Sequence, residues 1–171
     1  MSPDDLARTV DAETALADAP AGHKDELRLW LRLLTCTTLV EAEIRRRLRL
    51  EFGTTLPRFD LMAALEREGA LTLGEVSQRM MVSNGNVTGL AARLEAEGLV
   101  ERRVSPADRR VQRLRLTPRG RREFARQSAA HEGWIAELFA GLAPADRAAL
   151  HRLLGRAKAS LRAALQEETP A

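Results

Sequence analysis

Apolar residues recur at helical spacing over most of the chain, and the breaks between them separate helical runs from one pair of strand-like runs. From Lys24 to Leu50, Leu27, Trp30, Leu31 and Leu34 form one stripe and Leu33, Cys36, Val40, Ile44 and Leu48 another. The first half of this helix is therefore apolar nearly all round and must be covered on more than one side. Thr55-Leu56-Pro57-Arg58-Phe59-Asp60 opens the next helix, with Phe59, Met62 and Leu65 inward and Gly69 ending it. Thr72 and Glu75 fit a capping box, which predicts a helix from Leu73 that buries Val76 and Met80. Ser83 is a second N-cap, after which Val87, Leu90, Ala91 and Leu94 keep helical spacing until Gly98. Leu99-Val100 and Val111, Leu114, Leu116 are strand-compatible runs around the turn formers of Ser105-Pro106-Ala107-Asp108, and they predict a β-hairpin. Thr117 caps and Pro118 starts a long helix through Phe124, His131, Trp134, Ile135 and Leu138 to Gly141. A last helix from Pro144 carries Leu150, Leu153, Leu154, Ala157, Leu161 and Leu165. Residues 1–22, acidic and punctuated by Ala and Pro, hold only the thin stripe Leu6, Val10, Leu16; they read as a partly ordered arm, with a short helix and a loose tail both open.

Too little chain remains to cover both the first and the last helix within one subunit, so the pattern points to a homodimer built from them. A monomeric bundle core is the alternative. The expected plan is mainly α with a small β-hairpin: an arm at 1–22, dimerisation helices at 23–55 and 118–168, and a winged helix-turn-helix at 56–117 inserted between them.

Only Met81, Val82 and Ser83 separate the two capped helices, so they cannot lie end to end. That makes a helix-turn-helix candidate whose second helix enters a DNA major groove; an ordinary helical hairpin has the same signals. Charge separates the two. Residues 99–122 carry nine Arg against Glu101 and Asp108, a balance of +7 in a chain of net +3, so the remainder sums to −4. One basic block on a slightly acidic protein is the footprint of phosphate binding, whereas a merely solvated face mixes both signs. Ser83, Asn84, Asn86 and Thr88 then lie on the first turns of the reading helix, where Asn pairs bidentately with adenine, and Arg93 farther along is in reach of a phosphate.

At 171 residues, 44% hydrophobic and 30% charged, the chain suits one domain with a sizeable core, or a small module plus an oligomerisation element. A single Cys excludes an internal disulfide framework and suits a reducing compartment. The acidic N-terminus lacks a signal-peptide core, and no uncharged apolar run approaches the roughly 20 residues that span a bilayer. The expectation is a cytoplasmic protein with no membrane partner. His23, His131, His151 and Cys36 have no metal-ligand spacing, no Gly-rich phosphate loop follows a strand, and no Ser occupies a nucleophile elbow. Neither a metal, nor a cofactor, nor an enzyme has residues to stand on.

The combination resembles the multiple-antibiotic-resistance regulator (MarR) family of winged helix-turn-helix repressors. Their wing signature, D-x-R followed by five residues and L-T, is matched by Asp108, Arg110, Leu116 and Thr117, after the family-like Leu94-Glu95 and Glu97-Gly98-Leu99-Val100-Glu101-Arg102. The likeness runs over about residues 25–165 and implies that Arg110 enters the minor groove while Asp108 braces the wing and Arg109 meets a phosphate. Asn84, Gly85, Asn86 and Gly89 stand where many relatives carry Arg, Ser, Thr and Arg, so the resemblance does not give the operator sequence.

The resemblance also implies an input. Family ligands bind between the dimerising helices and the winged module; here Trp30, Cys36, Phe59, Met62, His131 and Trp134 would line that junction, though each is also an ordinary core residue. Arg28, Arg32, Arg45, Arg46, Arg47, Arg49 and Arg58 surround it, and Glu41, Glu43 and Glu51 are available to pair with them as a solvated surface. The stretch Leu29–Thr38, with Arg58-Phe59-Asp60 and Asn84–Gly89, is similar to the branch answering to aromatic acyl-coenzyme A thioesters, whose phosphates suit Arg28, Arg32 and Arg46. The effector expected is thus an aromatic acid or its thioester. Some relatives instead sense oxidants through a cysteine, an alternative for Cys36; its neighbours Leu33, Leu34 and Val40 point rather to a buried, inert thiol.

Overall fold

A computed structural model describes residues 24–104 and 111–167; the N-terminal arm and the hairpin tip lie outside the described residues. The described elements are α1 (Lys24–Phe52), α2 (Leu56–Glu68), α3 (Leu73–Met80), α4 (Asn84–Ala96), β1 (Val100–Val104), β2 (Gln112–Leu116), α5 (Pro118–Leu138) and α6 (Pro144–Glu167). The chain is thus mostly helical with one antiparallel hairpin, in the predicted order. It divides into two compact units, one ending at His131 and one beginning at Glu132, so the division falls within α5. No described helix is long and apolar enough to cross a membrane.

Local chemistry sets the boundaries. Pro57 lies in the first turn of α2, where its missing N–H costs nothing, and Gly69 closes α2 at φ 80° with its N–H on the Leu65 carbonyl. Thr72 and Glu75 form both halves of the predicted capping box: the Thr72 hydroxyl accepts from the Glu75 N–H at 3.2 Å, and the Glu75 carboxylate accepts from the Thr72 N–H at 2.7 Å. Ser83 caps α4 through the Asn86 N–H. Thr117 caps α5, its hydroxyl accepting from the Gly120 N–H at 2.9 Å.

The first unit's core is one cluster. Leu61, Met62 and Leu65 from α2, Val76 from α3, Val87, Ala91 and Leu94 from α4, and Val100, Leu114 and Leu116 from the hairpin are all buried in it. The hairpin runs in the register Val100↔Leu116 to Val104↔Gln112, which puts Val100, Leu114 and Leu116 on the core side. Leu71, alone between α2 and α3, pairs with Leu114 through two backbone hydrogen bonds of 3.0 and 2.7 Å. This one-residue bridge was not foreseen from the sequence, since a lone apolar residue after Gly69-Ala70 makes no strand pattern.

Helix α1 divides sharply. Ile44 and Leu48 are its buried residues, whereas Leu27, Leu29, Trp30, Leu34 and Leu39 are exposed. In α6 the expected stripe of Leu150, Leu153, Leu154, Leu161 and Leu165 is also exposed. Cys36, expected to be buried, is exposed as well. Its apolar neighbours lie on a stretch of α1 that no other described residues bury, so periodicity marks an apolar face without saying what covers it.

Two backbone positions carry strain or close approach. Met81 ends α3 in the left-handed region at φ 53°, a conformation that costs an L-residue with a Cβ roughly 1–2 kcal/mol. A Cβ on Gly120 would stand 1.9 Å from the Leu99 carbonyl oxygen, so only glycine lets the first turn of α5 close on the strand entrance. We expect Met81→Gly to raise stability by about 0.5–1 kcal/mol and Gly120→Ala to lower it by about 1–3 kcal/mol, both read from urea midpoints at unchanged slope. Equal midpoints for Gly120→Ala and the wild type would refute the close contact.

Candidate nucleic-acid interface

Helix α4 is buried on one face only. Val87, Ala91 and Leu94 lock it onto the core, which leaves Asn84, Gly85, Asn86, Thr88, Gly89, Ala92 and Arg93 exposed on the opposite side. The Ser83 cap sets the start, with its side chain exposed and 3.5 Å from the Asn86 N–H. Thr88 spends its hydroxyl on the Asn84 carbonyl at 2.9 Å, leaving its methyl group and remaining lone pairs for a ligand. No side-chain hydrogen bond or ion pair of Asn84, Asn86 or Arg93 was found among the described residues, so three polar groups project from an otherwise small-residue surface. A surface of Gly, Ala and short polar side chains lets a flat partner come close, and the missing Cβ atoms of Gly85 and Gly89 have only open space around them.

The hairpin beside it carries its arginines in a different state from the one composition implied. Arg102 pairs with Glu95 of α4 at 2.9 Å, and Arg103 and Arg115 share Glu101, the former at 3.0 Å. The Arg115 guanidinium, with Arg103 second, holds the Glu101 carboxyl below the usual range. Arg113 donates to the Ala70 carbonyl at 3.2 Å and lies 3.6 Å from Glu75. Arg119 and Arg121 donate to the Glu97 and Leu116 carbonyls. Much of the local positive charge is therefore tied to neighbouring elements, which holds the hairpin in place and lowers the field it projects. Counting along 99–122 missed Glu75 and Glu95 because they lie outside that window. Asp108, Arg109 and Arg110 lie outside the described residues.

The predicted ligand residues are only partly brought together. Phe59 is buried with its ring 5.4 Å from Phe124 and 5.0 Å from His131, whose pKa burial pushes down toward the neutral imidazole. Met62 is buried in the core cluster, while Trp30 is 57% exposed on α1. Arg28 pairs with Asp25 at 3.3 Å and Arg46 with Glu43 at 2.7 Å, the same carboxylate also taking Arg47. Arg32 lies on the exposed side of α1 and is also engaged. Arg58, named only as one of the surrounding cations, instead reaches across to Glu97 at the end of α4. Among the described residues no group of His, Cys, Asp or Glu is arranged to hold a metal ion.

The model of the MarR family matches residues 52–111. The chain is 30% identical to the uncharacterized HTH-type transcriptional regulator YkoM of Bacillus subtilis over 63% of this chain and 70% of that protein. It is 38% identical to the HTH-type transcriptional repressor MdtR of the same species, over 42% of this chain and 46% of the repressor. Of three further curated relatives the match spans 61%, 63% and 62% of their length. Among solved structures, Bordetella bronchiseptica BpsR superposes with a TM-score of 0.63 at 29% identity, covering 74% of this chain and 96% of that one.

The Glu43 network gives a pH signature. Hydrogen bonding to Arg46, then Arg47, lowers its pKa from 4.5 to about 2. A carboxylate whose pKa falls on folding adds stability that is present above its ordinary pKa and lost as pH falls through the folded value. Thermal melts should therefore show the wild type above Glu43→Gln at neutral pH and the gap closing between pH 4.5 and about 2. A gap of the same size at both ends of that window would mean the pairs contribute nothing through ionisation.

Proposed function

The chain belongs to the MarR family of winged helix-turn-helix transcriptional regulators, and we propose that it acts as a homodimeric repressor that reads a palindromic double-stranded DNA operator and leaves it on binding a small aromatic effector. The observation that carries the reading is α4: capped at Ser83, held by Val87, Ala91 and Leu94, and presenting Asn84, Asn86, Thr88 and Arg93 to solvent. A helix of this kind fits a major groove, and the arginine hairpin after it supplies the wing. Two copies are required for twofold reading, and the exposed leucines of α1 and α6 are the surface a second copy would cover.

Support for a ligand comes from BpsR, whose structure concerns regulation of DNA binding by 6-hydroxynicotinic acid, an aromatic acid. Release needs no contact between effector and operator: the effector must only bind better to a spacing of the two reading helices that does not fit DNA. The Phe59, Phe124 and His131 cluster offers an aromatic surface, and an acyl-coenzyme A effector would additionally engage Arg28, Arg32 and Arg46 through its phosphates, displacing Asp25 and Glu43. The exposure of Cys36 supports a second reading, a redox-sensing regulator, and peroxide sensitivity of operator binding distinguishes it.

Operator titrations test the first reading. Arg110→Ala should weaken every site, whereas Asn86→Ala should cost about 1–3 kcal/mol and relax one base position. An Asn86→Ala protein whose preference among single-base variants equals the wild type's refutes the assignment. For the effector, calorimetry with hydroxycinnamic and benzoic acids beside their coenzyme A esters is decisive. Tighter binding of the esters, weakened by Arg28→Ala, Arg32→Ala and Arg46→Ala, is expected if the thioester branch holds; tighter binding of the free acids removes it.

A further inference from the structure

The reading helix begins with an Asn-Gly pair, Asn84 and Gly85, and both residues are exposed. We infer that this pair is a site of spontaneous deamidation, through which the regulator converts Asn84 to an aspartyl residue and loses its operator. The loss of binding rests on the operator reading; the site rests on the pair's own chemistry. The Gly85 backbone nitrogen is the nucleophile, and its N–H has no hydrogen-bond partner among the described residues, as expected for an amide in the first turn of a helix. Gly85 has no side chain to crowd that nitrogen, and a Cβ there would meet nothing within 4 Å. The Asn84 side chain is likewise unpaired among the described residues, so no bond anchors its amide away from the backbone.

In the reaction the Gly85 nitrogen adds to Asn84 Cγ. The new N–Cγ bond forms as the Cγ–Nδ2 bond breaks, and ammonia leaves with the proton that the glycine nitrogen gives up. Water then opens the resulting cyclic imide at either carbonyl: cleavage at Cγ leaves an aspartate, and cleavage at the main-chain carbonyl leaves an isoaspartate with an extra carbon in the backbone. Water enters and ammonia leaves, with no oxidant or reductant. Helical geometry holds the nitrogen away from Cγ, so the first turn must fray for the step to occur, and helix ends open at little cost. The cap that resists fraying is a long one, the Ser83 hydroxyl accepting from the Asn86 N–H at 3.5 Å. Asn86 is an internal control. Its successor Val87 is β-branched and buried, and the Val87 N–H is already donated to the Ser83 carbonyl at 3.2 Å.

Deamidation changes the reading surface in two ways. An amide that donates and accepts becomes a carboxylate that only accepts, so bidentate pairing with adenine is lost. A negative charge also appears where the first turn of α4 now carries no acid, on a surface that faces phosphates in the proposed complex. The same charge favours the helix itself, because a first-turn carboxylate meets the positive end of the helix dipole. Folding and operator binding therefore respond in opposite directions, which separates a damaged interface from a damaged fold. An operator lying over α4 holds the first turn closed, so the bound regulator is protected while the free one ages.

The test ages the full-length chain at physiological temperature and mildly alkaline pH, alone and with a palindromic duplex selected from a random pool, and maps its peptides by mass spectrometry. Conversion is expected at Asn84 and not at Asn86, more slowly with the duplex present and far more slowly in Gly85→Ala, whose methyl group has open space in the fold. Asn84→Asp, the product made directly, should bind the selected duplex at least about tenfold more weakly, with a melt at or above that of the wild type. Asn84 left intact over a period in which the urea-unfolded chain converts overturns the site. Asn84→Asp binding as tightly as the wild type overturns the consequence, and equal conversion with and without duplex overturns the protection. A chain that selects no duplex removes the operator reading and with it the loss of binding, while the peptide masses alone still decide the site.

Discussion

The terminal helices carry more apolar surface than the described residues cover, and the proposed assembly depends on that constraint. Leu27, Leu29, Trp30, Leu34 and Leu39 on α1 and Leu150, Leu153, Leu154, Leu161 and Leu165 on α6 are exposed, although their spacing is that of buried stripes. Exposed leucines recurring at helical spacing along one helix are the kind of surface that association covers. In the proposed dimer they meet a second copy of themselves, and the twofold relation of two α4 helices follows from that meeting.

Within the first unit the chain spends its core on holding one helix face outward. Val87, Ala91 and Leu94 are fully buried against residues drawn from α2, α3 and the hairpin, and the rest of α4 is left small and polar. The wing is then tied down at its base: the Thr117 hydroxyl donates to the Gly98 carbonyl at 2.7 Å, the Thr117 N–H donates to the Leu99 carbonyl, and α5 begins against that same carbonyl at Gly120. Arg102 to Glu95 and Arg58 to Glu97 add side-chain links from the hairpin and α2 to the end of α4. Helix α4 is thereby linked to α2 and to the start of α5.

Local rules were legible in the sequence wherever the interaction partners are close along the chain. The Thr72 and Glu75 capping box, the Ser83 cap, the Gly69 and Gly98 stops and the Thr117-Pro118 start each involve neighbours within one turn, and each appears where spacing placed it. What pattern could not show are partners far apart or off the chain. Leu71 finds Leu114 only through the fold, Arg58 finds Glu97 across 39 positions, and Arg113 reaches Glu75 from the hairpin. For Cys36 periodicity marked an apolar neighbourhood, but the thiol expected to be buried is exposed, because helical spacing does not say whether anything packs on that face. The hairpin arginines were counted as free charge because composition has no knowledge of Glu75 and Glu95 beside them.

The mass of the full chain in solution tests the central claim most directly. Sedimentation equilibrium at working concentration should return twice the 18.9 kDa of one chain, with Leu153→Glu and Leu161→Glu together shifting the distribution toward single chains. A soluble 18.9 kDa species as the sole component of the wild type would contradict the account, because the stripes left exposed among the described residues would then lack the second copy proposed to cover them.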